Sequence, residues 1–319
     1  MHIDLLSPKS FADGQPHEQY RWLREHAPVR WHDEPSEGAG FWAVTRHADV
    51  WAVDRDFQSF SSEPTIMIPD PPPGQGLGFG PYKMMLMMDP PEHTAFRKLI
   101  RQEFTLPAAR LREDRIQALA RQIVDTVIDK GECDFVAEVA GEMPSFVIAE
   151  LMGLPLDDGR ELYKLTETIH TAPEALPAGA GGAAVAKMFE YGQGVIAEKR
   201  ARPADDLASK LLACEVDGRR LEDMEFLLFF LLLVDAGGDT TRNLLSGGLL
   251  ALMEHPEQYA WLMADLPARL ETAREELLRW TSPVIYMRRT AHKDVELAGQ
   301  PIREGDKVVM YFGAANRDP

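Results

Sequence analysis

A mainly helical protein with small β-sheets is the fold class this sequence predicts, and three observations predict it. Apolar residues recur at three- and four-residue intervals over 111–128, 190–200, 224–253 and 268–280, the stripe of amphipathic or buried helices. One of these segments opens with nine consecutive apolar residues, 226–234, which calls for a wholly buried helix. Strand signals are confined to the end, at 284–290, 295–297 and 307–312, separated by the turn chemistry of Ala298-Gly299 and Glu304-Gly305-Asp306.

Taken in order, the first well-marked stretch is a loop at 69–81, PDPPPGQGLGFGP, where four prolines before Gly74 remove backbone donors and four glycines loosen the chain. Asp89 with Glu92 has capping-box spacing and Pro90 suits a first helical position, so a helix begins here. Within 111–128 the stripe is Ile116, Leu119, Ile123, Val124 and Val127. A second loop, 172–182 (APEALPAGAGG), interrupts helical patterns on both sides. No linker rich in Ser, Gly or charge divides the chain and no repeat is present, so one domain over 1–319 is expected.

Composition excludes several functions. Lys+Arg number 34 against 51 Asp+Glu, a net charge of −17, which repels a phosphate backbone and argues against nucleic acid as a partner. The nine-residue apolar run falls short of the ~20 residues that cross a bilayer. Met1-His2-Ile3-Asp4 opens no secretory leader, so a cytoplasmic location without a membrane span is expected. Two cysteines, Cys133 and Cys214, exclude a disulfide framework and multi-cysteine metal sites. Nine histidines lack ligand spacing, and no metal site is assigned. The glycines of 74–80 contain no G-x-G-x-x-G window, and the G-x-G-x-x-A match at 179–184 sits in the second loop rather than after a strand.

Four segments carry chemistry. In Asp235-Ala236-Gly237-Gly238-Asp239-Thr240-Thr241-Arg242-Asn243, adjacent glycines each cost a helix ~1 kcal/mol relative to alanine, and a carboxylate in a core helix needs a partner. Two readings fit. Small residues and a Thr that bonds the preceding turn open the helix to a flat ligand, beside an acid and alcohol able to relay protons; or they simply let another helix pack closely. In Met84-Met85-Leu86-Met87-Met88 and the helix after it, His93 and Arg97 share one face next to a soft methionine wall, suited to an amphiphilic ligand with carboxylates or to plain solvation. Glu276 and Arg279 pair at i, i+3, and strand alternation puts Met287, Arg289 and Ala291 on one side, where Arg289 faces inward or forms an edge charge.

Taken together, MDPPEHTAFRKLI, LLLVDAGGDTTRN, EELLR and MRRTAHKDVELAGQPIREGDKVVMYFGAANRDP resemble the soluble bacterial cytochromes P450, with the similarity running from the first residues to Pro319. The resemblance implies the cytochrome P450 fold, heme b as cofactor and a heme-thiolate monooxygenase that places one atom of O2 in a C–H bond. It implies that His93, Arg97 and Arg289 contact the heme propionates, that Ala236 and Gly237 lie against porphyrin and oxygen, and that Asp239 and Thr240 deliver protons. Glu276 with Arg279 would hold the structure beneath the heme, and Val284 and Ile285 would wall the substrate pocket. No reductase domain is attached, so electrons would come from a ferredoxin or flavodoxin with its reductase. The AGGDTTRN wording is similar to members that hydroxylate steroids, branched lipids or terpenoids, implying a lipophilic substrate. A non-catalytic lipophilic-ligand or heme-binding protein on the same scaffold is the alternative.

The family's iron-ligating cysteine belongs to an F-G-x-G-x-H-x-C-x-G segment, which this sequence does not contain. Cys133 lies between Glu132 and Asp134, and Cys214 precedes Glu215; neighbouring negative charge disfavours a thiolate, so neither substitutes. The expectation is a fold incomplete at the C-terminus: a fragment without thiolate-ligated heme, with little monooxygenase activity and with apolar area exposed. A thiolate–carbonyl Soret band in the reduced chain would overturn it.

Overall fold

The computed structural model describes residues 1–35, 38–71, 78–171 and 175–319. Parts of both predicted loops, 72–77 and 172–174, lie outside the described residues. The described chain is mainly helical with small sheets, as the periodicities require. It starts with α1 (His17–His26), a hairpin of β1 (Val29–His32) and β2 (Phe41–Val44), α2 (His47–Arg55) and β3 (Phe60–Ser61). Then come α3 (Glu92–Ile100), α4 (Leu106–Leu111), α5 (Glu113–Asp125), α6 (Glu142–Met152), α7 (Leu156–His170), α8 (Ala180–Ala201) and α9 (Leu207–Ala213). A short hairpin, β4 (Glu215–Val216) and β5 (Arg219–Arg220), leads into the long α10 (Asp223–Glu254). After α11 (Pro256–Ala264) and α12 (Leu266–Thr281) come β6 (Tyr286–Ala291), β7 (Val295–Leu297), β8 (Gln300–Ile302), β9 (Lys307–Tyr311) and α13 (Phe312–Ala315).

Backbone contacts divide these elements into two compact units. The first comprises Met1–Pro81, Leu86–Pro90 and Leu250–Pro319. Its sheet has the order β1-β2-β9-β6-β3, with β2 and β9 parallel and the other pairs antiparallel. Val44, Val50, Val53, Val308 and Met310 bury one face, while Tyr20, Leu23, Phe41, Val309 and Tyr311 bury the other. Being buried on both faces, β9 reads as an apolar run rather than an alternation. β1 and β2, four residues each, are too short to show a period, and the sequence reading missed them.

The second unit, Tyr82–Met85 with Pro91–Leu249, is helical apart from the β4–β5 hairpin. Residues 226–234 are all buried, which is why the nine-residue apolar run is compatible with a helix in water. Two element boundaries differ from expectation. Asp89 gives its carboxylate to the Ser61 hydroxyl and the Ser62 N–H (2.9 Å), so it does not cap α3, whose N-cap is Pro91. The stretch from Ala180 belongs to α8 rather than to a loop: Gly179, at φ +79°, adopts the left-handed conformation that starts the helix, and the glycines after it enter the helix with nothing crowding them.

Candidate functional site

The acid and alcohol of α10 sit where that helix changes character. Up to Val234 every side chain from Phe226 is buried; Asp235 is half-buried and Ala236 exposed. The helix continues without a break, so the local opening expected from Gly237, Gly238 and Thr240 does not occur. The anticipated back-bond does form, the Thr240 hydroxyl donating to the Ala236 carbonyl at 2.8 Å. The glycines face other helices. A Cβ on Gly238 would stand 3.2 Å from the Tyr163 ring of α7, and one on Gly237 3.7 Å from Ile148 of α6. Close helix packing thus explains Gly238, whereas Ala236 and Thr240 lie on the open side.

Asp239 is held by its own helix. It accepts from the Arg242 guanidinium and from Asn243 Nδ2 at 3.0 Å, rather than from Thr240. Arg242 also reaches Glu167 of α7 at 3.0 Å and lies 5.7 Å above the Tyr163 ring. The Tyr163 hydroxyl is buried, and burial pushes it up to about 12 against the opposing pull of Arg242.

The second basic group lies on α3. Phe96 stacks on Phe229 of α10, ring centroids 5.8 Å apart and planes within 12°, and fixes how α3 lies on α10. Ile100 is buried on the same side, leaving His93 half-buried and Arg97 exposed, one turn apart. The shared helical face of His93 and Arg97 is as expected.

The remaining candidates belong to the first unit. Arg289 on β6 is mostly buried, pairs with Asp54 of α2 at 2.9 Å and donates to the Arg288 carbonyl at 3.1 Å; burial lowers its pKa against the pull of Asp54 and Asp89. Glu276 and Arg279 form a bidentate pair at 2.7 and 2.5 Å, and Arg279 also bonds the Asn316 carbonyl at 2.6 Å, tying α12 to the residue after α13. That pair holds Glu276 below and Arg279 above their ordinary values. Val284 is half-buried and Ile285 exposed, just before β6.

Sequence reasoning missed Arg288, next to the arginine it chose. Arg288 is only 2 % exposed, donates to the Met67 and Ile68 carbonyls at 3.2 and 3.0 Å, and pairs with Asp70 at 2.7 Å. Lys307 pairs with the same Asp70 at 2.8 Å and with Glu34 at 2.7 Å, so two buried cations share Asp70. Asp70 stays below its usual value because Lys307 and Arg288 outweigh its burial. Strand alternation carried the signal: Arg288 has the opposite parity to Met287 and Ala291. Cys133 is exposed; Cys214 is half-buried, and burial raises its thiol pKa.

A family model described as Cytochrome P450 matches residues 180–319. Cytochrome P450 126 of Mycobacterium tuberculosis is 39 % identical over 339 residues, covering 99 % of this chain and 79 % of that protein. Steroid C26-monooxygenase of Mycolicibacterium smegmatis is 35 % identical over 99 % of this chain and 75 % of its own length. Among solved structures, Mycobacterium marinum cytochrome P450 CYP268A2 in complex with pseudoionone superposes with a TM-score of 0.92 at 38 % identity, over 100 % of this chain and 80 % of that one. The helix whose buried stretch ends just before an exposed alanine, the Glu276–Arg279 pair on α12 and the arginine-bearing strand therefore occur in a chain that belongs to the cytochrome P450 family.

Proposed function

We propose that this chain carries the distal helix, the propionate contacts and the substrate-side strand of a heme-thiolate monooxygenase acting on lipophilic molecules, with residues 1–319 as parts of one domain. The observation that carries the reading is the open face of α10. A helix buried from Phe226 to Val234 leaves Ala236 exposed and Thr240 half-buried beside an acid, a geometry suited to a flat apolar ligand. The chemistry of the residues named suits the carboxylates and one face of heme b. Within the second unit His93 and Arg97 offer donors to a carboxylate, Ala236 would lie against the ring, and Gly237 would approach it through its backbone; within the first unit Arg289 offers a further cationic donor. Burial raises the Cys214 thiol pKa and Cys133 is exposed, and no role at the iron is assigned to either.

When bound, heme supplies the redox centre that splits O2, one atom going to the substrate C–H bond and the other to water. The chain's own part is proton supply. Thr240 Oγ1 gives its hydrogen to Ala236 O and keeps lone pairs to accept another. Asp239, held as a carboxylate by Arg242, would first turn away and take a proton from water, and could then hand that proton to Oγ1. Glu276 and Arg279 brace α12, and Val284 and Ile285 give the substrate an apolar wall. Relatives named for steroid and methyl-branched lipid hydroxylation favour such substrates. Electrons would come from a ferredoxin or flavodoxin with its reductase, in the cytoplasm.

The test is titration of heme into the purified chain, followed by its absorption spectrum. Saturable uptake is expected in the wild type. Ala236→Leu, which fills the open face at an exposed position, should abolish uptake while changing folding stability by less than about 0.5 kcal/mol. Arg97→Ala and Arg289→Ala should each weaken uptake roughly tenfold. Uptake by Ala236→Leu equal to that of the wild type would overturn the reading.

A further inference from the structure

Asp235, the residue before the open face, is tied to a different helix. Its Oδ1 lies 2.8 Å from Nε2 of His170, the last residue of α7. We propose that His170 is a pH-sensitive latch: its imidazolium form fastens the final turn of α7 to α10, and loss of the proton lets that turn loosen. The proposal concerns two helices of one unit and stands whether or not the function above is right.

The position favours the charged form twice over. A helix C-terminus carries a partial negative charge that attracts an imidazolium. Asp235 supplies a full one. The chain leaves the helix at once, Thr171 being extended at φ −70° and ψ 136°. Thr171 turns both its N–H (3.0 Å) and its hydroxyl (2.7 Å) back to the Glu167 carbonyl, within α7 itself.

The charged surroundings are one-sided. From α10, Asp235 and Asp239 favour the imidazolium and Arg242 opposes it. Glu167, one turn back on α7, is engaged with Arg242 at 3.0 Å. On α8 the first titratable residue is Lys187; with Glu190 and Tyr191 it lines the groove shared with Asp158 and Glu161. α6 meets α7 in its first half, through Glu142 and Arg160 at 2.6 Å. The bond to Asp235 dominates, so the His170 pKa is raised above its ordinary 6.5 in spite of partial burial. For a raised histidine the sign is fixed: the tie is complete below the ordinary value and fades as pH climbs through the raised one.

Two measurements test the latch: an NMR titration of the His170 imidazole, and amide exchange over residues 166–171 at a series of pH values. His170 should titrate above 6.5. Protection of 166–171 in the wild type, divided by that of His170→Gln at the same pH, should fall roughly two- to fivefold across that midpoint. Asp235→Asn should lower the midpoint and flatten the ratio. A midpoint at or below 6.5, or a ratio that ignores pH, overturns the latch, and the midpoint alone decides should His170→Gln fail to fold.

Discussion

Gly237 and Gly238 adjoin in one helix but answer to different neighbours. A methyl on Gly237 would reach Ile148 at an ordinary 3.7 Å, whereas one on Gly238 would press on the Tyr163 ring at 3.2 Å, where that ring must shift. Alanine gains up to about 1 kcal/mol of helix propensity at either position. Gly237→Ala should therefore stabilise the chain by close to that amount. Gly238→Ala should fall at least about 0.5 kcal/mol short of it, because packing strain offsets the gain. Urea midpoints of the two variants check the order, and equal midpoints would refute the packing assignment. At this scale the sequence shows that small residues are needed without showing what they approach. The same limit hid Arg288: alternation separated it from Arg289, but only the fold shows that the buried member is the one gripping the 66–70 segment. Asp239 was legible as an acid in need of a partner, and Arg242, one turn on, was already in the motif.

Elements were readable wherever a period had room to repeat. The segment 224–253 falls one residue inside α10 at each end, since thirty residues of apolar pattern define a helix well. Where long-range contacts decide, local signals fail. Asp89 has the spacing of a cap, yet Ser61 and Ser62 take its carboxylate. A comparable junction joins three helices of the second unit. Lys199 of α8 and Asp206, both 7 % exposed in their side chains, pair at 2.7 Å; Lys199 also donates to the Gly153 carbonyl at 2.8 Å, and Asp206 caps α9 through the Ser209 N–H. Burial works against the Asp206 carboxylate, but Lys199 and Ser209 outweigh it and hold its pKa below the usual value. Asp206→Ala strands a buried ammonium and removes a cap, and should cost about 3–5 kcal/mol. A depressed carboxylate stabilises above its unfolded value, and that share is lost as pH falls through the lowered folded value. The difference between wild type and Asp206→Ala in urea should accordingly shrink in acid. A difference below about 1 kcal/mol at neutral pH would show that the pair is dispensable.

For the molecule as a whole, charge and apolar surface pull in opposite directions. Net charge −17 repels other copies. Against it stands a concentration of exposed apolar side chains between residues 250 and 278: Leu250 at 55 %, Met253 at 71 %, Met263 at 51 % and Leu270 at 55 %, with Trp261 and Leu278. Trp261 also lines a cavity of about 480 Å³, with Leu252, Leu262, Leu277 and Trp280 among its apolar walls and His255, Glu257 and Glu276 among its polar ones. Exposed apolar side chains concentrated in one stretch of chain promote association. The two forces respond differently to salt. Repulsion is screened beyond roughly 10 Å at 0.1 M and roughly 3 Å at 1 M, while apolar contact survives or strengthens. Self-association should therefore grow with sodium chloride, the reverse of an assembly held by ion pairs. Sedimentation velocity at low and high salt measures it directly. Leu250→Glu with Leu270→Glu, placed where both side chains are already exposed, should keep the chain monomeric at high salt without altering its folding. Association that weakens with salt, or persists unchanged in the double variant, would locate the sticky surface elsewhere.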